Sequence, residues 1–351
     1  MPANGDPARR VTIVDVARHA GVSTAAVSKV LRNASGVSSQ MREKVEQTMR
    51  ELDYRPLASA RGMRGRTYTI GILVSDILNP FFGLLVEGIS HGSGQTGYEP
   101  LIGTGGASAA SQQRTIDAMV DRQMDGLILI APLIGEAALN RVARQTPTII
   151  VGRHGPSDVY DTVAGDDVAG SRLIVDYLVS LGHRRISHLT HAAGGHRDER
   201  RPEVLRERGY VAAMESHGLA DQIDVIETAW TREGGERAAA AIVARQNRPT
   251  AVHAGADVAA YGLLDGLWRA GVRIPEDVSV IGYDNTPTAA MNPISLTSVD
   301  QGGLEMGRLA AELLVQRIEG RSTPLHTLTQ PHLVLRSTAG PTDARPQRRP
   351  D

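Results

Sequence analysis

The spacing of apolar positions changes character along the chain. Within residues 9–56 it follows a helical period in three short stretches. The first opens at Thr12, with Asp15 three residues on in capping-box order, carries Val14 and Ala17 at helical spacing, and stops at Gly21, a residue suited to a left-handed turn. Ser23 is a fresh N-cap for a second stretch that turns Val27, Val30 and Leu31 inward and Thr24, Ala25 and Lys29 outward. Ser38 heads a third, striped by Met41, Val45, Met49 and Leu52. Two short helices joined by a tight glycine turn predict a helix-turn-helix, whose second helix enters a DNA major groove.

From Tyr68 the pattern becomes short, nearly continuous apolar runs, at 70–74, 101–102, 127–130, 148–151, 186–190, 251–253 and 278–281, separated by helical segments. That alternation predicts doubly wound parallel sheets. Seven runs and more are too many for one sheet of usual size, so residues 68–338 are expected to form two α/β lobes. Residues 57–67 then form a hinge or linker, and the Pro/Arg-rich 339–351 a disordered tail without leucine heptads.

Composition narrows the class. Hydrophobic residues make up 41% and charged residues 22% of 351, ordinary for a soluble globular chain. No apolar run approaches the roughly 20 residues that span a bilayer, and the N-terminus lacks a secretory pattern, so a cytoplasmic protein is expected. The absence of cysteine excludes disulfides, thiolate metal sites and cysteine nucleophiles. The net charge of −1 conceals a split. Residues 1–66 hold 12 Lys and Arg against 6 Asp and Glu, while the remainder holds 26 against 33. A basic head on an acidic body points to a polyanion partner for the head alone.

In doubly wound folds the residues just after the strands meet the ligand. Here these are Asp76, Asn79, Phe81 and Phe82 after the first run, Arg153 after 149–152, Asp257 after 251–253, Asp284 after 278–283 and Gln301 after 296–300. Trp230 follows an apolar stretch at 225–226, and Arg206 lies shortly before Gly209-Tyr210. Either Asp166 or Asp167 can cap the helix that follows them. Carboxylates and guanidinium groups bind vicinal hydroxyls bidentately, and an indole packs on the C–H face of a sugar ring, so a carbohydrate or similar polyol fits this set. His183, His188, His191 and His196 cluster in sequence without metal-ligand spacing, and neither a nucleophile elbow nor a GxGxxG loop is present. Glu305, Arg308, Glu312 and Arg317 read as a solvated helix face.

The wording of these segments is specific. VTIVDVARHAGVSTAAVSKVL at 11–31, LDYRP at 52–56, LGHRRI at 181–186, PEDVSVIGYD at 275–284 and LTSVDQ at 296–301 resemble the LacI/GalR family of transcription repressors over residues 9–338. The resemblance implies a helix-turn-helix head on a two-lobed body like the periplasmic sugar-binding proteins. It implies a homodimer on a pseudo-palindromic DNA operator, regulated by a small-molecule effector and needing no metal or other cofactor. Carried over, Thr24, Ala25 and Lys29 read base edges, Ser23, Ser28, Ser38 and Arg42 sit against phosphates, and Thr12 belongs to the same DNA-binding set. In the hinge, Met63 takes the place of the residue that wedges a minor-groove step and Ala60 that of the small residue where two hinges meet. Arg206, Trp230, Asp284 and Gln301 match the effector pocket. Ala256 stands where the family has an asparagine, and Gly303 where some sugar-responsive members place an aromatic. A nucleoside or sugar phosphate is the alternative effector. The rival functions are a sugar-binding module without DNA and an α/β enzyme; the basic head opposes the first, the missing catalytic motifs the second.

Overall fold

A computed structural model describes residues 11–31, 36–54, 65–191 and 198–342. The chain divides into two compact units between Thr67 and Tyr68. No helix among the described residues is long and apolar enough to cross a membrane.

The first unit holds α1 (Ile13–His19), α2 (Thr24–Leu31) and α3 (Ser39–Glu51). Thr12 and Asp15 form the reciprocal capping box, the Asp15 carboxylate accepting from the Thr12 N–H at 2.9 Å. The hydroxyls of Ser23 and Ser38 accept from the N–H groups of Ala26 (3.1 Å) and Met41 (3.2 Å), and Gly21 turns with φ +62. These caps satisfy amide donors that short helices leave orphaned. Val16, Ala17, Ala20, Val27, Val30 and Val45 form the core. Val14 is 49% exposed and Val16 is fully buried, so the inward face of α1 is set by Val16, Ala17 and Ala20. The hinge readings at Ala60 and Met63 lie outside the described residues.

The second unit contains two six-stranded sheets. Its elements are β1 (Thr69–Val74), α4 (Pro80–Ser93), β2 (Glu99–Thr104), α5 (Ala109–Asp121), β3 (Gly126–Ile130), α6 (Glu136–Gln145), β4 (Thr148–Val151) and β5 (Asp161–Gly165). Then follow α7 (Asp167–Ser180), β6 (Ile186–His191), α8 (Pro202–Ser216), β7 (Asp224–Thr228), α9 (Arg232–Val243), β8 (Ala251–Ala254), α10 (Asp257–Arg269), β9 (Ser279–Tyr283) and β10 (Thr297–Asp300). The chain ends in α11 (Gly303–Ile318), β11 (His326–Thr329) and β12 (His332–Val334). The first sheet runs β11-β5-β4-β3-β1-β2, all parallel, and the second β12-β10-β9-β8-β6-β7, parallel except for the β10–β12 pair. Ile72 of β1 pairs with Ile102 and Ile128 on its two sides. The central strands are buried on both faces, which is why they read as unbroken apolar runs. All seven predicted runs are strands.

The chain passes between the lobes three times, at β5 to α7, β10 to α11 and β11 to β12. The crossings are tied together: the Asp166 N–H donates to the Thr329 carbonyl at 3.0 Å, and the Thr329 hydroxyl to the Gln301 carbonyl at 2.7 Å. Arg317 is not on a solvated face but donates to Asp161, which is fully buried in β5 and also holds Arg321. Residues 339–342, expected in the tail, are docked: the Gly340 N–H meets the Ser279 hydroxyl, its carbonyl meets His183 Nε2 at 3.0 Å, and the Thr342 N–H donates to Leu181 O.

Candidate functional site

In the head, Ser23, Thr24, Ala25 and Lys29 are exposed around the start and outer face of α2, with Ser28 and Arg42 half-buried beside them. Thr12, Ser23 and Ser38 already use their side-chain oxygens as caps, though each remains exposed. This is a short, exposed helix face of small residues with Lys29 in its last turn, the size of element that a DNA major groove admits.

The body carries a cavity of about 300 Å³. Its walls include the segments that leave β1 to β5 in the first lobe and β6 to β10 in the second, so it lies where both sheets present strand ends. Nine of the ten expected residues line it: Asp76, Asn79, Phe81, Phe82, Arg153, Arg206, Trp230, Asp284 and Gln301. Asp76 is exposed and bonds the Leu78 N–H, while Asn79 caps α4 by accepting from the Phe81 N–H at 3.0 Å. Phe81 is embedded in the first lobe's core and Phe82 leans on it, ring centroids 6.3 Å apart. Gly303 explains that wall: a Cβ there would lie 2.8 Å from the Phe81 ring, so the aromatic surface comes from α4 and the start of α11 must stay bare.

Asp257 is the exception. It is fully buried at the start of α10, turned into its own lobe, and accepts from the Thr286 N–H (2.7 Å), the Thr286 hydroxyl (3.0 Å) and the Ser298 hydroxyl (2.6 Å). Its three donors are interior ones, so it is a structural acceptor rather than part of the cavity wall. Asp167 takes the place expected of it. Asp166 caps α7 through the Ala169 N–H, whereas Asp167 lines the cavity and receives Arg206 Nε at 2.7 Å and His154 Nε2 at 2.7 Å. Sequence reasoning missed this because the DTVAG strand before it is too poor in large apolar residues to be recognised as one.

Arg206 is the electrostatic centre. Besides Asp167, its Nη1 donates to Gly255 O at 2.6 Å and lies 3.7 Å from Asp284, and its guanidinium sits 3.6 Å over the Tyr283 ring and 5.0 Å from Trp230. Burial alone would raise the Asp167 carboxyl, but the Arg206 charge and the His154 hydrogen bond hold it below the usual range. Asp284 goes the other way. Burial pushes it well up, Arg206 only partly opposing, and Gln301 Nε2 donates to its Oδ1 at 2.6 Å. Its backbone φ of +119 is a strained value for a residue with a side chain, held by its N–H on Val299 O. One carboxyl shifted toward its ionised form and one toward its protonated form, beside a fixed cation and an amide, offer both acceptors and donors to a cluster of hydroxyls.

Arg153 does more than line the wall. It reaches across the cleft to Asp198 (2.8 Å), while Arg200 reaches back to Glu136 (2.5 Å), and the His154 N–H bonds Arg200 O. Of the clustered histidines, His188 is core, His183 bonds Thr250 and Gly340, and His191 takes the Trp230 N–H and lines the cavity; His196 lies outside the described residues.

Residues 12–56 match the bacterial regulatory proteins of the lacI family, and residues 175–339 match a periplasmic binding protein-like domain. The ribose operon repressor of Escherichia coli K12 is 32% identical over 312 residues, 88% of this chain and 93% of that protein. The lac repressor dimer bound to operator and the anti-inducer ONPF superposes with a TM-score of 0.79 at 25% identity, covering 95% of this chain and all of that one. A LacI family regulator from Enterococcus faecium with bound ribose gives 0.70 at 29% identity over 78% of this chain and all of that one. With a relative at this identity along most of its length and both units matched in the same order, the chain belongs to the LacI family of bacterial regulatory proteins.

Proposed function

We propose that this protein is a transcriptional repressor that binds a pseudo-palindromic operator as a homodimer through the exposed face of α2, and that a neutral sugar or related polyol in the interlobe cavity controls it from the cytoplasm. Thr24, Ala25 and Lys29 read bases, with Lys29 donating to guanine and the two small residues contacting thymine methyls. Two-fold symmetry doubles the few base contacts one small head can make. The observation that carries the effector reading is the buried array of Arg206, Asp167, Asp284 and Gln301 beside Trp230, which joins paired polar groups to an aromatic face. All three cavity arginines, Arg153, Arg201 and Arg206, already face carboxylates, which favours an uncharged ligand over a sugar phosphate. The protein binds its ligand and performs no chemistry on it. Its test is a thermal-shift panel of monosaccharides, sugar phosphates and nucleosides, followed by gel shifts with upstream DNA in the presence of each hit. A neutral sugar that both stabilises the body and alters operator binding is expected; stabilisation by phosphates or nucleosides alone would overturn the effector class.

A further inference from the structure

Behind Arg206, inside the second lobe, four rings form a column. Tyr283 lies beneath the guanidinium, parallel within 8° to the His253 ring at 6.4 Å. His253 meets His188 edge-on at 4.3 Å, and His188 stacks on Tyr210 at 5.2 Å. All four side chains are fully buried. The far end is anchored by the Tyr210 hydroxyl on Ile186 O at 2.6 Å, and the middle by His253 Nε2 against the Ser171 hydroxyl at 3.0 Å. Polar rings buried in a core are costly where aliphatic side chains would fill the same space, and the binding reading so far uses none of them.

We infer that Tyr283 is the positioning residue that presents Arg206 to the effector, with His253 and His188 as its rigid backing. Two in-plane hydrogen bonds, to Asp167 and Gly255, fix two points of the guanidinium. A planar group held at two points still tilts about the line joining them. The Tyr283 face at 3.6 Å removes that tilt and, being electron-rich, attracts the cation it supports. The ring itself has no slack. The Tyr283 hydroxyl approaches α7 where Gly170 lacks a side chain, and a Cβ there would stand 2.1 Å from the hydroxyl oxygen. Burial, with the Arg206 charge added, keeps both histidines neutral, His188 down to about 3, so the column never sets a second cation under the first. The role rests on the cavity being the effector site, but its effect on Arg206 is visible without any ligand.

The test is therefore made first on the effector-free full-length protein, by observing the Arg206 Nε–Hε resonance, assigned by its disappearance in Arg206→Lys. A guanidinium stacked on a ring carries a ring-current shift, and a proton donated to a buried carboxylate exchanges slowly. Tyr283→Phe, which keeps the ring, should retain both properties. Tyr283→Leu should lose the shift and exchange about tenfold faster or more, the scale of one desolvated cation–π contact. Gly170→Ala, which displaces the ring without removing it, should act in the same direction and serves if the leucine variant does not fold. D-ribose is the binding probe: if it binds the wild type, its Kd should rise about tenfold in Tyr283→Leu and stay within about twofold in Tyr283→Phe. An unshifted, equally protected Nε–Hε in both ring-perturbed variants overturns the inference, as does an unchanged Kd for ribose. Altered resonances with no binding of ribose or of any monosaccharide in the thermal-shift panel would sustain the positioning role and sink the sugar reading instead.

Discussion

Asp257 follows a strand end and invites assignment to the ligand, yet its carboxylate serves Thr286 and Ser298. Replacing it with alanine tests which role is real. The Thr286 hydroxyl would keep its contact with the Tyr261 hydroxyl, but the Thr286 N–H and the Ser298 hydroxyl would lose their acceptor in a fully buried site. Each stranded donor costs about 1–3 kcal/mol, so a loss of about 2–6 kcal/mol is expected. At roughly 2–4 °C per kcal/mol for a unit of this size, the melting temperature should fall by about 4–24 °C. Asp257→Asn adds a pH signature. Burial, against the three hydrogen bonds, pushes the Asp257 carboxyl up to about 6 from an ordinary 3.8. The folded state then binds more protons than the unfolded one between those values, so this group's contribution falls as pH rises from about 4 through 6. Relative to the asparagine variant, which has nothing to titrate there, the wild type should lose stability across that window. Calorimetric melts of wild type and both variants from pH 4 to 7 read both effects. If Asp257→Ala melts within about 2 °C of wild type while losing its sugar response, Asp257 reaches the ligand and the structural assignment is wrong.

Three further outcomes are expected. Arg206→Ala should abolish any sugar-induced thermal shift while operator binding persists, and leaving Asp167 buried without its main cation should cost about 3–5 kcal/mol by denaturant melt; a retained sugar response would refute the clamp. Lys29→Ala should weaken operator binding by about 1–3 kcal/mol in gel shifts at fixed salt, and equal loss on unrelated DNA would show a phosphate contact rather than base reading. Asp198→Asn removes the partner of Arg153 across the cleft. It should loosen lobe closure and raise the radius of gyration of the effector-free protein in solution scattering; an unchanged radius would show that the Arg153–Asp198 pair does not hold the lobes.

The sequence by itself determined the organisation of the chain. The caps at Thr12, Ser23 and Ser38 and the glycine turn act between near neighbours, so their consequence is local and visible in order and spacing. The central strands were equally visible, because burial on both faces demands uninterrupted apolar residues. Strands β5, β11 and β12 were not: β5 is buried but carries Val163 as its single large apolar residue, and β11 and β12 are short and partly exposed, so each leaves too little apolar signal. Only tertiary structure decided which strand-end polar groups face the cavity. Asp257 and Asp167 each open a helix after a strand, but one is consumed by Thr286 and Ser298 and the other meets Arg206, from residues 29, 41 and 39 positions away. The same holds for the ring column, whose members lie on β6, α8, β8 and β9 and meet only because β6, β8 and β9 are adjacent in the sheet with α8 packed against it. The direction of a side chain follows from its element, but the partner it finds follows from what the rest of the chain brings there.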